Sequence, residues 1–112
     1  MKIYVASPYQ ACKHITPHNI PNVVASNVRR AIRVGIDLIV YGHNPYIPHL
    51  NHYLQLEMDE DMEEYWYKVD AEWLRCCEAI FVVTINRCDR EVLSDMMVRH
   101  RVCAGRLGNT LF

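Results

Sequence analysis

Residues 2–6, Lys-Ile-Tyr-Val-Ala, are almost continuously apolar, the pattern of a parallel strand covered on both faces. Residues 7–21 break that pattern with prolines and histidines, and a connection of this length is often functional. Asn22 is placed to cap a helix in which Val23, Val24, Asn27, Ala31, Val34, Leu38 and Ile39 recur near a spacing of 3.6 residues. Arg29, Arg30, Arg33 and Asp37 fall on its outer face, and Gly42 offers a left-handed position just past its end. Tyr46-Ile47, bracketed by Pro45 and Pro48, reads as a very short strand. A short helix is expected over His52–Leu56. A longer one is expected over residues 61–77, capped by Asp59 and opened by Asp61, Glu63 and Glu64, whose charges suit a helix N-terminus. Its expected inner face holds Met62, Trp66, Val69, Trp73 and Cys77. Ala79–Ile85 is the clearest central strand. A loop over 86–89, a helix over Glu91–His100 and a short strand around Val102 complete the expected elements.

Strand, helix, strand, helix, helix, strand, helix is the order of an α/β protein: a doubly wound, Rossmann- or flavodoxin-like parallel sheet with helices on both faces. Ligands of such sheets bind beyond the C-terminal strand ends. Those ends are Ser7-Pro8-Tyr9, Pro48-His49 and Thr84 to Asp89. With 112 residues, 51% of them hydrophobic, the chain suits a single domain over 1–112.

A formal net charge of −1 argues against nucleic acid as the main partner. Arg outnumbers Lys, which keeps anionic small ligands open. Five cysteines are present without a CxxC, and Met1-Lys2 runs straight into a strand, so a reduced, cytoplasmic protein is expected. No apolar run approaches the roughly 20 residues of a membrane helix. Neither GxGxxG nor a Walker pattern occurs. His43 and His49 lack a zinc spacing. No cofactor and no metal is therefore expected.

Four stretches carry candidate chemistry. Ser7, Pro8 and Tyr9 either form a plain proline turn or present two hydroxyls and backbone amides to a ligand. In GHNPYIPHL, His49 stands at a strand end and is the histidine placed to face a ligand. Asp70 lies three residues before Trp73: near the core it would need hydrogen bonds or a task, and at the helix flank it would be solvated. Asp89 and Asp95 either cap and decorate a helix or turn back over the strand ends. Carboxylates gathered in one cleft raise one another's pKa and can divide nucleophile and acid roles.

The pieces KIYVASPY, SNVRRA, GHNPYIPHL and VDAEWLRCCEAIFVV, with the helix after Asp89, occur in an order that resembles the nucleoside 2-deoxyribosyltransferase-like superfamily, especially its small phage and bacterial members. The resemblance spans about residues 2–100. It implies a dimer or higher homo-oligomer that cleaves the N-glycosidic bond of a 2-deoxynucleoside or its monophosphate. A carboxylate on the late helix would attack the sugar, and water or another base would take the glycosyl group. The resemblance makes Asp95 the nucleophile, Asp70 the assisting acid or sugar-positioning group, and Tyr9 and Ser7 the loop that orients them. Asp89 and Arg90 would meet the sugar, base or phosphate.

Two departures bear on this reading. The family often carries Ser-x-Gly where this chain has Asp89-Arg90-Glu91, and the Glu91 charge would repel a 5'-phosphate. The nucleophile position holds Asp in place of Glu, a loss of roughly 1 Å of reach that can cost about 10²-fold in rate. A nucleotide-binding protein without turnover, or a structural oligomer using Trp66 and Tyr67 at an interface, stands as the alternative.

Overall fold

The computed structural model describes residues 1–11, 14–83 and 110–111. Strand β1 (Lys2–Ala6) leads through a single 3-10 turn, Pro17–Asn19, into helix α1 (Ile20–Val40). Strand β2 (Asn44–Tyr46), a second 3-10 turn at Pro48–Leu50, and helices α2 (Asn51–Leu56) and α3 (Glu63–Cys76) follow. Strand β3 (Ala79–Val82) and strand β4 (Thr110–Leu111) complete the sheet. Its order is β2-β1-β3-β4, with every neighbouring pair parallel. The expected helix over 91–100, the tail strand around Val102 and the end of the third strand beyond residue 83 lie outside the described residues.

Alternation along β1 explains why helices cover both faces. Ile3 and Val5 pack with Ala31 and Leu38 of α1 and with Ala79. Tyr4 and Ala6 point the other way, onto Leu74, Cys77 and Ile80. Successive strand side chains face opposite sides, so one buried strand feeds two cores. The sheet is therefore doubly wound, as the pattern predicts. No helix among the described residues is long and apolar enough to cross a membrane.

Several boundaries and faces differ from expectation. Helix α1 begins at Ile20 with Pro21 in its first turn, where a missing N–H costs nothing. Its buried residues include Val28, whereas Ile39 is exposed. Strand β2 takes in Pro45, which is tolerable because among the described residues β2 pairs only with β1 and forms the sheet's edge. Helix α3 begins at Glu63, not at residue 61. Gln55 donates to the Glu60 carbonyl (2.6 Å) and accepts from the Met62 amide (3.1 Å), which fixes residues 60–62 outside the helix. The N-cap position is Met62, not Asp59, and its side chain makes no capping bond; the first helical N–H, that of Glu63, is accepted by the Asp61 carboxylate at 3.0 Å. The inner face of α3 is Asp70, Ala71 and Leu74, continued by Cys77. Trp73, expected inside, is 53% exposed. Small Ala71 lets the helix lie close to the sheet, and the indole is left to cover the sheet's edge.

Candidate functional site

A cavity of about 260 Å³ opens beside the C-terminal ends of β1 and β2, close to the low end of the ~300–1,000 Å³ usual for small-molecule sites. One wall is Tyr9 and Gln10, the chain leaving β1. A second is Pro48 and His49 with Asn51, His52 and Gln55, the chain leaving β2. The third is Asp61 and the first half of α3, with Glu63, Trp66, Tyr67 and Asp70.

The loop after β1 is held from below. Asn27 on α1 is buried, and its amide donates to the Tyr9 carbonyl at 3.0 Å and toward the Gln10 carbonyl at 3.5 Å. Arg30, half-buried on the same helix, donates to the Asn27 side-chain oxygen at 3.3 Å. These bonds give a polar residue on the inner face of α1 a physical reason to be there. They leave the Tyr9 ring turned into the cavity, edge-on to His49 and His52. Its hydroxyl shares a 2.8 Å hydrogen bond with His52 Nδ1. Burial, and then the nearby Asp61 carboxylate, push the Tyr9 phenol upward, so it remains a proton-bearing group at neutral pH.

His49 is 3% exposed. Its Nε2 lies 3.1 Å from the Pro8 carbonyl. A carbonyl can only accept, so Nε2 carries the proton and Nδ1 is bare. Among the described residues Nδ1 has no hydrogen-bond partner. Burial lowers the ring's pKa to about 4, against a smaller opposing pull from the Pro8 and Ser7 carbonyls, and His49 stays neutral over the physiological range.

Asp70 is the site's buried carboxyl. Its Oδ1 accepts from the Tyr46 hydroxyl at 3.1 Å and from the Asn51 amide at 2.9 Å. Desolvation raises its pKa to about 7, although both hydrogen bonds pull the other way. At neutral pH the group is thus close to half protonated and can both give and accept a proton. The acidic rim is tied differently: Glu63 accepts from Gln10 at 2.8 Å and from the Tyr67 hydroxyl at 3.4 Å. The Trp66 indole N–H donates to Gln55 at 2.8 Å, which leaves an aromatic wall against which a flat ring can lie.

The structure brings Tyr9, His49 and Asp70 together around one cavity. Ser7 and Pro8 are fully buried behind it and do not line it. Asp89, Arg90 and Asp95 lie outside the described residues. His43, the other half of the suspected histidine pair, stands at the opposite end of β2, with Nδ1 3.3 Å from the chain's amino group. Sequence reasoning missed Asn51, His52, Gln55, Asp61 and Glu63 as lining residues, and it placed Trp66 and Tyr67 at an interface. The available signal was the mixture of acids and aromatics in DEDMEEYWY, whose charges read as helix-dipole partners and whose aromatics as inner-face or interface residues, not together as one wall.

A parallel, doubly wound domain with its cavity at the carboxyl ends of the strands belongs to the class of α/β proteins that bind small ligands there. No protein-family model and no curated protein matches the sequence. Among solved structures, the chain has the fold of a 2-deoxyribosyltransferase from the psychrotolerant bacterium Bacillus psychrosaccharolyticus, an enzyme described as a biocatalyst for nucleoside synthesis. The TM-score is 0.63 with 17% sequence identity, over 99% of this chain and 69% of that one. At that identity the likeness is one of fold, in line with the family resemblance carried by the sequence.

Proposed function

We propose that the protein binds a nucleoside or nucleotide in this cavity and cleaves its N-glycosidic bond, passing the deoxyribosyl group to water or to a second base. The observation that carries the reading is Asp70: a buried carboxyl on the cavity wall, held by two donors and poised to ionise near pH 7. A departing nucleobase needs a proton, and a carboxyl kept partly neutral at physiological pH is suited to supply it or to hold the sugar. Asp95, given by the family resemblance, is the proposed nucleophile: its carboxylate bonds to the anomeric carbon as the bond to the base breaks. Water or an acceptor base then displaces it. Tyr9 positions the sugar, and Asp89 and Arg90 complete the ligand contacts. This chemistry runs on carboxyl groups and needs no cofactor. The same resemblance implies a homo-oligomer, for which the exposed Ile36, Ile39, Val40 and Tyr41 at the end of α1 give an apolar surface, and the cysteine pattern fits a reduced, cytoplasmic setting.

The test is chromatographic turnover of a panel of deoxyribonucleosides and their 5'-monophosphates, with and without a free base, beside Asp95→Ala and Asp70→Asn. Native protein should release base, Asp95→Ala should release none, and Asp70→Asn should be slower by roughly 10²-fold or more. The Glu91 charge favours a second reading, a binding protein without turnover. Ligand binding with no base release would establish that one, and absence of both would end the assignment.

A further inference from the structure

Asp70 is gripped from outside the cavity as well as within it. Tyr46, on β2, donates its hydroxyl to Asp70 Oδ1 at 3.1 Å. The same ring is stacked on Trp73, with centroids 5.4 Å apart and planes at 18°. Its other neighbour is Tyr4, at 5.6 Å and 35°. Trp73 follows Asp70 by three residues on α3, so the two side chains leave neighbouring positions of one helix and meet on one tyrosine. Trp73 does not line the cavity. We infer that Trp73 is a positioning residue for Asp70, fixing the Tyr46 ring so that its hydroxyl stays on the carboxyl.

The physical argument is one of torsional freedom. Tyr46, on a three-residue strand, is only partly buried: it packs against the cluster of Tyr4, Ala6, Leu74, Cys77 and Ile80, and the half-exposed Trp73 is the ring stacked on it outside that cluster. Removal of one stacked face frees its side-chain torsions and the hydroxyl leaves Asp70 part of the time. The hydroxyl stabilises the carboxylate, so its loss moves the Asp70 midpoint upward. The groups that face Asp70 are Tyr46 from β2, Asn51 from α2 and Tyr4 from β1. Tyr67 and Cys77 act on those tyrosines. The inference rests on the proposed role of Asp70, but its test needs no turnover, so failure of one is separable from failure of the other.

The experiment is a carboxyl ¹³C NMR titration of protein labelled at aspartate, with the Asp70 signal assigned by its absence in Asp70→Asn. Tyr46→Phe should raise the midpoint by roughly one to two pH units, the worth of a hydrogen bond to a charged group. Trp73→Ala should raise it by up to about one unit, the most that a lost stack can pass on, and Trp73→Phe should restore it. In a Tyr46→Phe background, Trp73→Ala should have no further upward effect. Trp73 is 53% exposed, so its removal leaves the core intact. An unchanged midpoint in Trp73→Ala overturns the inference. So does a downward shift, the result of admitting water to the carboxyl, or an equal shift with and without the Tyr46 hydroxyl, which would mean that Trp73 acts on Asp70 by a route other than Tyr46.

Discussion

Asp70 and His49 are buried titratable groups whose shifts have opposite effects on stability. Asp70 has a folded pKa of about 7 against an ordinary value of 3.8. Between those values the unfolded chain has released the proton and the folded one retains it, so stability falls as pH rises through the window. His49 has a folded pKa of about 4 against 6.5. Between those values the unfolded chain binds the extra proton, so stability rises with pH. The two slopes oppose each other from about pH 4 to 6.5. Asp70→Asn removes only the falling slope. Its melting temperature should match the native protein's near pH 4, climb with pH to about 6.5, and exceed the native value at pH 8 by the equivalent of a few kcal/mol. Thermal melts across that range check it, and parallel curves for the two proteins would show that Asp70 ionises normally. A buried group that lowers stability when it ionises is common at working sites.

At the scale of the elements, α1 packs closely on the segment after β2 at Gly35. A methyl group added at Gly35 would meet the Ile47 side chain, coming within 2.9 Å of its Cγ1 and closer still to its Cδ1. Gly35→Ala therefore sets a helix-propensity gain of up to about 1 kcal/mol against an overpacking cost of roughly 1–3 kcal/mol. The expected outcome is net destabilisation of about 1 kcal/mol by urea unfolding, and no further loss when Gly35→Ala is made in an Ile47→Ala background, where the clash is gone. The repeat of apolar positions in α1 made that helix legible, but it could not show that a glycine inside it is a contact. Strand β1 was legible to the residue because both its faces are buried. Helix α3 was legible as an element and misread as a surface: the 3.6-residue pattern has two aromatic candidates, and only the packing of Ala71 decides that Trp73 turns outward. Asp70 was found beside a wrong neighbour. Its burial follows from Ala71 and Leu74, not from Trp73.

For the whole molecule, the parallel order β2-β1-β3 puts the exits of β1 and β2 at one end of the sheet, and that rule alone located Tyr9 and His49 beside a cavity from sequence. The third wall was not legible. It depends on Gln55 reaching across to residues 60, 62 and 66, a set of side-chain bonds between α2, the turn after it and α3 with no periodic signature. Pro45 has a consequence of another kind. The Asn44 N–H points inward, to the Met1 carbonyl at 2.8 Å. Backbone directions alternate along a strand, so the next residue's N–H would point outward, and proline has none. The free edge of β2 thus lacks a donor where a strand from another copy would dock, which is a recognised protection against amyloid-like growth. Pro45→Val should restore the template. Heated to the same interval below its melting point as the native protein, the variant should scatter light and bind an amyloid dye sooner, and equal lag times would show that the edge is guarded by something else.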